Sequence, residues 1–89
     1  MPSVQATCEI INSKGLHVRA ATLLAQLTAS FSATVTVEHA GERANAKSVM
    51  NLLLLTAPMG ATVRVEASGD DAEEALIAVR ALISSGFGE

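Results

Sequence analysis

The chain predicts an α+β fold in which an antiparallel sheet is covered by helices on one side only. Three observations carry that expectation. Several short segments alternate apolar and polar residues with a period of two, which buries one strand face and wets the other. Two longer segments repeat apolar residues at helical spacing. The 89 residues, 49% of them hydrophobic, suffice for one domain spanning 1–89 built in two layers. The predicted element order is β-α-β-β-α-β-α, a two-layer α+β sandwich.

Each element follows from its pattern. Val4, Ala6, Cys8 and Ile10 alternate with Gln5, Thr7 and Glu9 and read as a strand. From Ala20 the period changes: Ala20, Leu23, Leu24, Leu27 and Phe31 lay an apolar stripe along a first helix. Alternation returns at Ala33, Val35 and Val37. Ala40-Gly41-Glu42 is a turn, and Arg43-Ala44-Asn45-Ala46 is the return strand of a hairpin. Lys47 to Leu52 forms a short helix with Ser48 as its N-cap. Pro58 and Gly60 punctuate a loop, after which Ala61, Val63, Val65 and Ala67 give the cleanest strand. Asp70 and Glu73 read as a capping pair for a last helix burying Ala72, Ala75, Leu76, Val79, Leu82 and Ile83. Gly86 and Gly88 suggest a frayed tail.

Composition excludes several functions. Two Phe, no Trp and no Tyr leave no base-stacking platform, and a net charge of −3 offers no phosphate-tracking surface, so nucleic acid is not an expected partner. One cysteine cannot form an internal disulfide, and Cys8 reads as a small buried hydrophobe. The N-terminus lacks the basic and apolar regions of a secretory signal. Leu52–Leu55 is the densest apolar run and far too short to span a bilayer. The expectation is a soluble cytoplasmic protein without a membrane partner.

Chemistry concentrates in Gly15-Leu16-His17-Val18-Arg19-Ala20-Ala21. It sets a histidine between a glycine that permits a tight bend and the opening turn of a helix. Helix starts present unpaired N–H groups and the positive end of the macrodipole, and Arg19 adds a fixed cation. Such a place suits an anion, most naturally a phosphoryl group, beside a ring nitrogen. Other chemistry fails. Two histidines and one cysteine without liganding spacing make no metal site, and His39 reads as a solvated turn residue. There is no nucleophile elbow, no P-loop, and no acid placed near His17 to orient it. What remains is a histidine that itself accepts a phosphoryl group, with the amides of the helix start, Val18 among them, and Arg19 holding its oxygens.

A second motif is Ala46-Lys47-Ser48-Val49-Met50. Leu52 and Leu55 can fill the core-facing row, which frees Val49, Met50 and Leu53 for a docking patch, and Met suits a surface that meets several partners. The bland alternative is a capping serine with apolar residues of a core helix.

The two motifs together, in an element order of this kind, resemble the HPr family of phosphocarrier proteins over essentially the whole chain. The resemblance implies an open-faced sandwich, with three helices on one face of a four-stranded antiparallel sheet. It implies a carrier rather than a stand-alone enzyme, needing no cofactor. His17 would be phosphorylated on Nδ1 by enzyme I at the expense of phosphoenolpyruvate, then pass the group to an enzyme IIA. Arg19 would be its companion cation. Ser48 matches the serine modified in some bacteria by a dedicated ATP-dependent HPr kinase/phosphorylase. Two departures stand out. Ala20 replaces a proline common in the family, which would preset the first helical position, and Lys14 replaces an asparagine frequent in the sugar branch. Ala20 and the Ser85-Gly86-Phe87 ending resemble the nitrogen-related NPr branch. The rival expectation is a regulatory binding module that signals through Ser48 while His17 stands idle.

Overall fold

The structure is a computed structural model that describes residues 3–89. Within them run β1 (Ser3–Glu9), α1 (Val18–Ala29), β2 (Thr34–His39), β3 (Glu42–Asn45), α2 (Val49–Leu53), β4 (Thr62–Ser68), α3 (Ala72–Ser84) and a closing 3-10 turn, Gly86–Gly88. The strands form one antiparallel sheet in the order β1-β4-β2-β3. Alternation decides its faces. Val35, Val37, Val63, Val65 and Ala67 point into a single core with Ala20, Leu24, Leu52, Val79 and Ile83 of the helices. The opposite face is polar, crossed by ion pairs between Arg43 and Glu66 (3.0 Å) and between Arg64 and Glu38. Helices α1, α2 and α3 therefore cover one side, as expected. The β2–β3 hairpin turns at Ala40 (φ 52°) and Gly41 (φ 85°), the paired positive φ values that match strand twist in a two-residue loop.

Four details depart from the sequence-based expectation. Helix α1 starts at Val18, and its buried row is Ala20, Ala21, Leu24, Ala25 and Thr28. Leu23, Leu27 and Phe31 pack only partly against the core. The helix thus turns its small residues inward, which permits a close approach, and Thr28 satisfies its hydroxyl on the carbonyls of Leu24 and Ala46. At α3 the cap is Asp71 rather than Asp70, and it makes no capping bond. Its carboxylate instead accepts from Ser32 N–H (2.9 Å), Ser32 Oγ (3.2 Å) and Ala33 N–H (2.7 Å), tying α3 to the start of β2. Those bonds, foremost the Ser32 amide, hold the Asp71 carboxyl below the ordinary carboxylate value despite an opposing desolvation effect. His39 is half-buried, and its Nδ1–H donates to Leu55 O (2.9 Å), so it is no free turn residue. Finally, the ending is not frayed. Phe87, 2% exposed, joins the core, and burying so large an apolar ring anchors the glycines beside it.

Candidate functional site

Gly15 shapes the approach to His17. Its φ of +65° is costly for other residues, and a Cβ there would lie 2.6 Å from Ala57 O and 2.9 Å from Pro58 Cα. The loop is seated on that second loop through Leu16 N–H, which donates to Ala57 O (2.9 Å). Asn12 closes it from within. Its carbonyl accepts from Gly15 N–H (3.1 Å), and its Nδ2 donates to Gly15 O (2.7 Å).

His17 is the N-cap of α1, with extended backbone (φ −84°, ψ −176°). Its carbonyl accepts the first helical bond, from Ala21 N–H (2.8 Å), and its Nδ1 accepts from Arg19 N–H (3.1 Å). Val18, Arg19 and Ala20 are then the first three helical positions, whose N–H groups have no carbonyl within the helix to meet. Ala20 stands third, not first. A proline there would remove a free first-turn N–H, which alanine keeps.

The ring's other nitrogen has a partner that no local pattern announces. His17 Nε2 bonds to Glu89 Oε2. A backbone N–H can only donate, so Nδ1 carries a lone pair; an ionised carboxylate can only accept, so Nε2 carries the proton. An acid does therefore stand at His17, contrary to expectation, brought there by the buried Phe87. Burial pushes the Glu89 carboxyl up, but hydrogen bonds from His17 and Asn12 and the charges of His17 and Lys14 outweigh it and hold it below its ordinary value. Asn12 Nδ2 reaches Glu89 Oε1 (3.2 Å) as well as Gly15 O. Flipping that amide would set oxygen against two acceptors, so Oδ1 remains buried without a partner among the described residues. The side chains of His17 and Glu89 are 24% and 19% exposed, which leaves the ring reachable from solvent.

The second motif lies on the neighbouring helix, for α1 and α2 pack together. Ser48 caps α2 by accepting Asn51 N–H on its Oγ (3.2 Å). Leu52 and Leu55 are buried, as the core-facing row requires. Val49 and Leu53 are half-buried against the core, whereas Met50 is 70% exposed. Leu54 at 75% and Val18 at 62% are further exposed apolar residues that sequence periodicity did not single out. Cys8 is half-buried, and desolvation pushes its thiol up against the lowering influence of Arg80, so it is a poor nucleophile. No helix among the described residues is long and apolar enough to cross a membrane.

Comparison with known proteins agrees with this geometry. A family model described as the PTS HPr component phosphorylation site matches residues 4–85. The phosphocarrier protein HPr of Cupriavidus necator is 42% identical over 86 residues, 97% of either chain. The phosphocarrier protein NPr of Escherichia coli is 44% identical over 88 residues, 98% of either chain. In three dimensions the chain resembles an HPr crystal structure from Thermoanaerobacter tengcongensis with a TM-score of 0.93 and 43% identity over 97% of both chains. A partly exposed histidine at a helix start, on this sheet and with this likeness over nearly its full length, places the chain in the HPr family of phosphotransferase-system phosphocarrier proteins.

Proposed function

We propose that His17 is the residue that carries the phosphoryl group, receiving it from phospho-enzyme I and passing it to an enzyme IIA. The observation that supports this most is the ring itself. Its Nδ1 lone pair lies at the head of α1, within reach of the Arg19 amide. When that lone pair attacks phosphorus, the amide it releases becomes a donor for a phosphoryl oxygen. The first-turn N–H of exposed Val18 and the positive end of the helix favour the same charge. Arg19, exposed beside them, supplies a mobile guanidinium that can follow the group as it moves between partners.

Docking uses the start of α1 with Val49, Met50 and Leu53, of which Met50 is the exposed member. Ser48 is a regulatory position. A phosphate there would add about two negative charges at the head of α2, close to where an acidic partner surface has to approach. The test is mass measurement after incubation with phosphoenolpyruvate and enzyme I. Wild type gains one acid-labile phosphate, and His17→Ala gains none while keeping its fold. Phosphohistidine undiminished in that variant would move the carrier role to His39; no uptake by wild type would favour a binding module with His17 idle.

A further inference from the structure

We propose that Thr56 is a positioning residue for the carrier loop, a strained joint whose release frees His17 to turn Nδ1 toward a donor. This rests on His17 being the carrier. Three non-glycine residues among those described have positive φ: Ala40 (52°), Thr56 (47°) and Phe87 (57°). Ala40 shares a hairpin turn with Gly41, and Phe87 is anchored by its burial in the core. Neither reason applies to Thr56. It is exposed and β-branched, the kind of side chain for which left-handed backbone is most costly.

The surroundings enforce that conformation. Leu55 and Ala57, on either side, are each 3% exposed, so the chain turns at Thr56 to bury both side chains. The Leu55 carbonyl accepts from Thr56 Oγ1 (2.8 Å) and from His39 Nδ1–H (2.9 Å), which ties the turn to the end of β2. The next carbonyl but one, that of Ala57, accepts Leu16 N–H (2.9 Å) and seats the loop that leads into His17. Backbone strain therefore lies one residue from the seat of the carrier loop.

Phosphoryl transfer needs that seat to yield. Nδ1 accepts from Arg19 N–H (3.1 Å), so its lone pair points into its own helix. The ring has to leave this amide before Nδ1 forms the N–P bond, as the donor's bond to phosphorus breaks and its electron pair departs with the donor; the Nε2 proton stays on the ring. Leu16 precedes the ring in the chain, and its bond to Ala57 resists the movement. When the turn opens, Thr56 leaves the left-handed region and its strain is relieved, which lowers the cost of freeing Leu16.

The test compares wild type with Thr56→Gly, Thr56→Asn and Thr56→Val, by amide hydrogen exchange and by single-turnover uptake from phospho-enzyme I. Gly and Asn accept left-handed backbone readily, whereas Val keeps the β-branch and loses only the hydroxyl. In wild type, Leu16 N–H should exchange through a local opening, well before the core amide of Val65. In Thr56→Gly and Thr56→Asn it should exchange about tenfold more slowly, because opening no longer relieves strain. Phe31 N–H, at the other end of α1, should keep its rate. Uptake at saturating donor should fall about tenfold in the same two variants, with the half-saturating concentration unchanged because the docking residues are intact. Thr56→Val should match wild type in both measurements. Equal Leu16 exchange in all variants overturns the proposal, as does wild-type exchange as slow as that of Val65. Slower exchange with unaltered uptake removes the joint from transfer and overturns it too. So does a Val variant that behaves like Gly, which would assign the effect to the hydroxyl. Absence of uptake by wild type, by contrast, is a failure of the carrier assignment, on which the exchange measurement does not depend.

Discussion

His17 and Ser48 perform the same backbone task at the heads of neighbouring helices. Each sits in extended conformation, and each side chain accepts a first-turn N–H, from Arg19 and from Asn51. The difference lies behind them. His17 is enclosed by a loop seated on Ala57 and by a carboxylate that Asn12 holds. Ser48 Oγ, among the described residues, meets only the Asn51 N–H of its own helix. Both residues therefore cap a helix, but only the histidine has its remaining ring nitrogen met by a distant part of the chain. Asp71 is a third case, since its side chain leaves its own helix uncapped and stitches α3 to β2.

The largest effect should come from disturbing the enclosure of His17 at its tightest point. Gly15→Ala must accommodate a Cβ 2.6 Å from Ala57 O at a φ of +65°. Backbone strain plus local overpacking should lower stability by about 2–4 kcal/mol, read by urea unfolding. Phosphoryl uptake should fall with it, because the loop that presents the ring has to shift. Wild-type stability in Gly15→Ala would show that the 57–58 loop yields easily and that the seat is soft.

Asp71 sharpens the contrast through pH. Its folded carboxyl lies below the ordinary value, so the unfolded chain binds more protons in the window between the two. The bonds to Ser32 and Ala33 therefore contribute fully above about pH 5 and are lost as pH falls through about 4 and below. Asp71→Ala should melt a few degrees lower than wild type at neutral pH, with the gap closing in acid. Phosphoryl uptake should be untouched, since this cap serves the fold alone. A gap that stays constant with pH would mean that the charge of Asp71 is irrelevant.

These contrasts also explain what could be read in advance. Alternation in Val63, Val65 and Ala67 is local, and so are the helix start beside His17 and the cap signature of Ser48; all survive in the structure. The capping pair of Asp70 and Glu73 obeyed the same local rule and failed, because three donors at Ser32 and Ala33 compete for the neighbouring carboxylate. The stripe on α1 was placed by size, whereas the helix packs by closeness and turns its alanines inward. Glu89 was invisible for a stronger reason. It lies 72 residues from His17 in a glycine-rich ending, and only the burial of Phe87 brings it back. The histidine at the head of α1 was legible, then, but not the frame around it.

The smallest effect tests the other half of the comparison. If Ser48 is a cap first, Ser48→Ala should cost about 1 kcal/mol and leave transfer to His17 unchanged. Ser48→Asp should cost nothing, since aspartate caps as well as serine and its charge meets free amides and the positive end of α2. If Ser48 also regulates, the two variants separate in transfer rather than in stability. Ser48→Asp would then accept phosphate from enzyme I much more slowly than Ser48→Ala while melting no lower than wild type. The rate belongs to the partner interface, where the new charge opposes an approaching acidic surface, and the melting point belongs to the helix. Equal transfer rates in the two variants would leave Ser48 a cap and confine chemistry to the enclosed one.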